Sequence, residues 1–470
     1  MNDEKVNSAI STVQTSVSDH HFVLARNGCN MCAPLGASIA YRGIQGCIPL
    51  IHGSQGCATY IRRYTISHFR EPVDIASSNF TEATAIFGGK QNLSTALGNV
   101  TRQYKPEAVG ITSTCLSETI GDDIPMILHE YTAARDASEP AAQEASYPQI
   151  FYASTPSYKG THINGFHTAV HSVVTKIVPA VRCTKRGSSV NVISGFVSPE
   201  DLREIHTIMK EYNVNYTLIP DYSKSLDGPS WEEYEKLPDG GTKISDIRTM
   251  GQAAGTVYLG KAVLNEQNAG LWLNDVCGIP LHQILLPVGI ENTDAFFAAL
   301  NEITGKTTPA EQAEIRGRLI DAYIDGHKYC FGKRAVVYGD EDFVLSVCAF
   351  LRETGIVPVI AATGAHKKVV TESGTGEKLE TISEDADFET MLEKVRSLEP
   401  DIVIGSSKGY YLSRRLNIPL VRCGFPVHDR IGGQRILTLG YRGTLTLFDL
   451  VCNALMQYKQ EKAGKGWSYV

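Results

Sequence analysis

Short apolar runs alternate with amphipathic helical patterns along almost the whole chain, and this alternation constrains the fold more than any other feature. The runs are Glu107–Ser113, Asn191–Phe196, Tyr216–Asp221, Thr256–Gly260, Arg334–Asp340, Val357–Gly364, Asp401–Ser407 and Pro419–Phe425. Each is short and nearly continuously apolar, as strands buried on both faces of a parallel sheet are. Between them, segments such as SPEDLREIHTIMKEYNV and FETMLEKVRSLEP repeat apolar residues every three or four positions, which reads as helix with one buried face. Ser198 and Pro199 open the first of these as N-cap and first helical residue. The pattern predicts an α/β protein of three Rossmann-like, doubly wound units with parallel sheets. Polar stretches near Arg182–Ser189 and Gly326–Lys333 divide it. The expected organisation is a polar N-terminal arm (1–25) and three α/β domains over 26–185, 186–330 and 331–470. Glu372–Asp387 reads as a surface excursion of the last domain.

A chain of 470 residues can bury a large core without disulfides. Its net charge of −7 provides no basic field for nucleic acid. Met1–His21 is polar and lacks the basic and apolar regions of a signal peptide, and no run approaches the ~18–20 apolar residues that span a bilayer. The expected setting is the cytoplasm, with no membrane and no nucleic-acid partner.

Eleven cysteines, an odd number scattered over a large chain, argue for reduced thiols rather than a disulfide framework. Cys348 and Cys452 sit in apolar helical patterns and read as core residues. Three other segments combine cysteine with glycine and small residues: NGCNMCAPLGA (Cys29, Cys32), HGSQGCATYIRR (Cys57) and TSTCLSETIGDD (Cys115). Cys115, and Ser157 in FYASTPSYKGTH, stand just beyond strand ends, where open α/β sheets gather ligands. Iron–sulfur clusters need thiolates and a backbone close enough to donate hydrogen bonds to sulfide, an approach that Gly36, Gly53 and Gly56 permit. The alternative for Cys29-x-x-Cys32 is a zinc knuckle or two unrelated thiols. A zinc site wants a second pair at similar spacing, which is missing, and a thioredoxin-like pair should start a helix after a strand rather than follow a polar arm. No GxxxxGK[ST] motif occurs, so nucleotide chemistry is not expected here.

The motifs CAPLGA, HGSQGC, SHFREP, FTEATAIFGG and STCLSETIGDD occur in that order, followed by TPSYKGTH, ISGFVSPEDLREI, DGGTKISDI, RGRLIDAYIDGHKY and GFPVHDRIGG. In this the chain resembles the β-type subunits of nitrogenase component 1, over nearly its whole length after the arm. The resemblance implies that Cys32, Cys57 and Cys115 are ligands of an iron–sulfur cluster, either the [8Fe-7S] P-cluster type or [4Fe-4S], shared with an α-type partner. It makes Ser157 a serine that binds one iron when the cluster is oxidised, and leaves Cys29 outside the set. The α-type (NifE- or NifD-like) partner would supply the remaining thiolates in an α2β2 heterotetramer. A NifH-like, ATP-dependent iron protein would supply electrons, which pass on to a larger cofactor in the partner. No complete active site is then expected on this chain. Arg70 and Glu71 together with Asp321 and Asp325 match a cation site between two β-type subunits. The last two are one helical turn apart and so share a face, though a solvated acidic face would look the same.

Within that family, CAPLGA departs from the CQPxGA of catalytic subunits and GTHINGFH from their GSHVTG. YIDGHKYCFGKRAVVYGDEDF and GFPVHDRIGGQRILTLGYRG resemble scaffold subunits more closely. The specific expectation is a NifN-type scaffold for iron–molybdenum cofactor biosynthesis. The alternatives are a catalytic NifK-like subunit reducing dinitrogen, or a methylthio-alkane in a nitrogenase-like enzyme, and, from another class, a metal-free structural subunit. The complete set of Cys32, Cys57, Cys115 and Ser157 speaks for the catalytic alternative.

Overall fold

The computed structural model describes residues 29–138, 147–182, 184–364, 382–384 and 388–463. The N-terminal arm, Cys183 and most of Glu372–Asp387 lie outside the described residues.

Among the described residues thirteen strands form three parallel sheets. The first contains β1 (Cys47–His52), β2 (Ala76–Ser77), β3 (Ala108–Ser113) and β4 (Gln149–Ala153), in the order β2-β1-β3-β4. The second repeats that order with β5 (Val190–Ile193), β6 (Tyr216–Ile219), β7 (Gly255–Leu259) and β8 (Leu281–Ile284) as β6-β5-β7-β8. The third has β9 (Arg334–Gly339), β10 (Val357–Thr363), β11 (Ile382–Glu384), β12 (Ile402–Gly405) and β13 (Leu420–Arg422), ordered β11-β10-β9-β12-β13. Every pairing is parallel. In each sheet the chain winds outward on one side of its first strand and then on the other. A crevice therefore opens at the carboxyl ends between β1 and β3, between β5 and β7, and between β9 and β12. The molecule is thus three Rossmann-like units, and their apolar central strands are buried along their length.

All eight anticipated strands form, with ends shifted by one to three residues; Val190–Ile193 and Gly255–Leu259 begin one residue earlier than expected. The helix Pro199–Glu211 begins as expected: the Ser198 hydroxyl accepts from Asp201 N–H at 3.0 Å. One expectation needs correction, that of Glu372–Asp387 as a mere surface excursion. The polar stretch Gly326–Lys333 is helical as far as Cys330, the last residue of the helix Ala310–Cys330. Gly326 makes room for the C-terminal helix Gly440–Lys462, since a Cβ there would lie 2.4 Å from Phe448 Cζ. The excursion at Glu372–Asp387 includes β11, which pairs with β10. Cys348 and Cys452 are buried as expected, and Cys452 Sγ lies 3.0 Å from Cys330 Sγ. Among the described residues no helix is long and apolar enough to cross a membrane.

Two contacts fix how the first unit meets its own parts and its neighbours. The helices Ala33–Arg42 and His162–Ile177 touch backbone to backbone: a Cβ on Gly36 would fall 1.7 Å from the His162 carbonyl oxygen, and one on Gly165 1.9 Å from that of Ala33. At the carboxyl end of β9, two acidic residues link the units. His162 Nε2 lies 2.8 Å from Asp340 Oδ1, and Asp342 Oδ1 accepts the N–H groups of Lys261 (2.6 Å) and Ala262 (3.0 Å).

Glu341, between them, is buried, and burial together with the charge of Asp340 pushes its carboxyl up from 4.5 to about 8. Between those two values the native carboxyl keeps a proton that the unfolded chain releases, so stability falls as pH rises through the window and stays lower above it. Glu341→Gln removes this penalty. Its gain in Tm over the parent is expected to be larger at about pH 9 than at about pH 5. Equal gains at the two pH values in a thermal melt would contradict the assigned burial.

Candidate metal centre

The first sheet brings three thiols to one edge by three routes. Cys57 is the third residue of the helix Gln55–Phe69, which follows β1, and Cys115 begins the helix Cys115–Thr119, which follows β3. Because β1 and β3 flank the crevice of this sheet, both loops open into it. Cys32 arrives from before β1, as N-cap of Ala33–Arg42, with Pro34 the second residue of the helix behind it. Ser157 follows β4.

Hydrogen bonds tie these loops together. Cys32 forms an isolated antiparallel bridge with Thr161. Ala33 N–H donates to Ser157 Oγ at 3.1 Å, and Ser157 N–H donates to Cys115 Sγ at 3.3 Å. The Ser54 hydroxyl donates to Cys57 Sγ at 3.7 Å. Burial pushes the Cys32 thiol up; hydrogen bonds from Ser157 and Tyr60 pull it down, while Cys115 and Cys57 push it up again. Cys57 and Cys115 are therefore each within electrostatic reach of Cys32. Cys32 and Cys57 also stand at the N-terminal ends of helices of 10 and 15 residues, where first-turn N–H groups have no carbonyl partner within the helix.

Cys32 and Cys57 are half-buried and Cys115 is exposed, so the edge opens outward. Exposed Leu116 and Tyr158 flank it, which is the setting of a surface meant to be covered. Among the described residues no three His, Cys, Asp or Glu side chains close round a single ion. The donors that are present, soft thiolates with a hydroxyl and backbone N–H groups beside them, suit an iron–sulfur cluster completed from outside the chain.

The other anticipated residues lie apart from this edge. Cys29 is buried against the third sheet; its thiol donates to Ala362 O at 3.5 Å and is pushed up to about 12 by burial. Arg70 caps the helix Gln55–Phe69 and donates from Nη2 to His428 O at 2.9 Å. Glu71 Oε1 accepts Gly228 N–H at 3.2 Å, and partial burial raises its carboxyl. Asp321 and Asp325 are exposed on Ala310–Cys330. Among the described residues no hydrogen bond or ion pair joins Arg70 or Glu71 to either aspartate.

Ser54 and Tyr60 escaped the sequence reading. Their only signal is spacing: each lies three residues from Cys57 in a helical stretch, so the three share a face. Lys408, mostly buried at the carboxyl end of β12, is a further addition. Burial lowers its ammonium, and Cys29, Asp340 and Cys32 raise it. Where the three units meet there is a cavity of about 40 Å³, lined by His68, Phe69, Phe196, Asp340, Phe343 and Phe425 among others. It is roughly large enough for one or two waters and has no thiol in its lining.

The model of the nitrogenase component 1 type oxidoreductases matches residues 32–456. The chain is 35% identical over 439 residues to the nitrogenase molybdenum-iron protein beta chain of Clostridium pasteurianum, an alignment covering 92% of this chain and 93% of that one. It is 36% identical over 440 residues to the beta chain of Methanothermobacter thermautotrophicus, covering 91% and 93%. Among solved structures, a chain of "Nitrogenase Cp1 at pH 6.5" superposes with a TM-score of 0.87 at 33% identity, over 94% of this chain and 96% of that one.

Proposed function

Because the chain belongs to the family of nitrogenase component 1 type oxidoreductases, we propose that it is the β-type subunit of a component 1 complex and supplies half the ligands of an iron–sulfur cluster at the seam with an α-type partner. The observation that carries this reading is the arrival of Cys32, Cys57, Cys115 and Ser157 on one outward-facing sheet edge, linked by hydrogen bonds. Cys32, Cys57 and Cys115 would hold the cluster, with Ser157 beside it. When bound, the cluster stores and passes single electrons.

The chain's own part is to orient the thiols and tune them. Tyr60 and Ser54 donate hydrogen bonds to sulfur, and the partner's surface excludes water. A NifH-like iron protein is the proposed electron source and the partner the proposed site of substrate reduction or cofactor maturation. The cytoplasm, where thiols stay reduced, is the proposed compartment.

The finer reading is a NifN-type scaffold for iron–molybdenum cofactor assembly, supported by the departures at CAPLGA and GTHINGFH. A catalytic subunit is the second reading, favoured by the intact thiol set with Ser157. For Arg70, Glu71, Asp321 and Asp325 we propose a cation site between two copies of the chain. The exposed Ile320 and Ile324 beside the aspartates support a protein contact on that face.

One preparation tests all of this: anaerobic co-purification with the partner, iron determination, and sizing with and without a chelator. Eight irons per seam would favour the catalytic reading and four the scaffold. A stable complex with almost no iron would reject both. A tetramer unaffected by the chelator would remove the cation site.

A further inference from the structure

We propose that His52 and Asp122 are positioning residues of the thiol edge, holding the Cys57 and Cys115 loops in one geometry and tying that geometry to the exposed turn at Phe87–Gly89. This rests on the cluster reading above, but it concerns an imidazole–carboxylate pair to which that reading gives no role. His52 is the last residue of β1 and is fully buried. Its Nε2 lies 3.1 Å from Asp122 Oδ2, and its Nδ1 lies 3.1 Å from Ser78 Oγ. The Asp122 carboxylate also accepts Gly89 N–H, at 2.9 and 3.1 Å, so Nε2 is the nitrogen that carries the hydrogen. Nδ1 is then an acceptor for the Ser78 hydroxyl, whose oxygen accepts Gly53 N–H at 3.0 Å.

Every donor in this series is thereby assigned, and the series ends on the residue before Ser54, where the Cys57 turn begins. The His52 carbonyl also accepts from Thr114 Oγ1 at 3.1 Å, and Thr114 precedes Cys115. Gly53 and Thr114 are pressed together: a Cβ on Gly53 would lie 2.5 Å from the Thr114 side chain. One residue thus anchors both thiol loops, the first through its ring and the second through its carbonyl.

The opposite end of the series reaches the surface. Gly89 follows Phe87 and Gly88; Phe87 is 85% exposed, the most open large apolar side chain among the described residues, and Ile86 is 75% exposed. Phe80, at the start of the same segment, stacks edge-on against His52 with ring centroids 4.8 Å apart, and its N–H donates to Gly53 O at 3.0 Å. A displacement of the turn therefore reaches the Cys57 loop through Asp122 and His52.

Asp122→Asn tests the proposal with almost no change of shape. An amide can still accept Gly89 N–H, but its NH2 group then meets the Nε2 hydrogen. Relief requires the other tautomer, which takes the acceptor away from Ser78. The variant complex, purified anaerobically with its partner, is expected to retain iron while its iron–sulfur EPR signal shifts. In the iron-depleted complex, alkylation of Cys57 and Cys115 by iodoacetamide should change by about threefold or more. Parental alkylation rates together with an unmoved signal would overturn the proposal. Should Asp122→Asn fail to assemble, Ser78→Ala breaks the same series one link further on and should alter the Cys57 rate; parental reactivity there would overturn it equally. A parent complex without iron would reject the cluster reading, and the alkylation rates would still decide this one.

Discussion

Replacing Cys57 by Ala is expected to strip most of the iron from the anaerobically purified complex or to prevent the heteromer from forming. Cys57 is one of the three thiols gathered at the β1–β3 crevice, and no other cysteine of that edge can reach its place, because each sits in its own hydrogen-bonded loop. On the proposed reading a missing thiolate would leave an iron without its anionic ligand, and the interaction lost would be large because cluster binding and assembly would be coupled. Cys348→Ala is the appropriate control. That thiol is buried in a helix of the third unit, and burial pushes it up to about 12. Its loss should leave a small cavity costing about 1 kcal/mol, with iron unchanged. Iron determination and sizing of both variants separate the two roles. Parental iron and parental assembly in Cys57→Ala would end the cluster account.

Gly165→Ala is expected to destabilise the chain by about 3 kcal/mol, and Gly36→Ala by a similar amount. Each new Cβ would meet a carbonyl oxygen, at 1.9 and 1.7 Å, and backbone cannot rotate away as a side chain can. The two helices must separate, and with them the Cys32–Thr161 bridge and the Ala33–Ser157 hydrogen bond, so iron binding should fall with stability. Gly98 and Gly317 are also helical, but a Cβ on either meets nothing within 4 Å. Alanine there should be neutral or stabilising by about 0.5–1 kcal/mol, since it only restricts the unfolded chain. Thermal melts of the four variants give the contrast. Four equal shifts would show that the helix contact is not as tight as described.

The β-rich runs were legible because buried parallel strands need no polar alternation, and Val, Ile and Leu dominate them. Three of the strands that escaped notice show why. CIPLIH, the central β1, contains a proline, which normally argues against an inner strand. Yet β2 covers only Leu50 and Ile51, so Pro49 sits beyond its reach. β8 carries His282 and Gln283 at a half-buried edge, and β2 is two residues long.

The site was legible to a similar degree and for a similar reason. Cysteines beside glycine mark loops where backbone comes close, which is a local property. That Cys32 lies beside Ser157, or that Tyr60 reaches it from the helix of Cys57, depends on strand order and helix crossing, which no window of sequence contains. His52 was missed for the same reason, its partners being 26 and 70 residues away.

The segment just before Cys32 is pinned from the far end of the chain. Cys29 donates to Ala362 O, and Asn30 Oδ1 fills the space where Gly364 lacks a side chain. During synthesis, β1, β3 and their two thiols leave the ribosome long before these late anchors exist. A nascent chain halted ahead of β10 would hold Cys32 by its contacts with Thr161 and Ser157, but without the two anchors at Cys29 and Asn30. The final setting of the stretch leading into Cys32 therefore waits on the third sheet, and a chain truncated ahead of β10 lacks it.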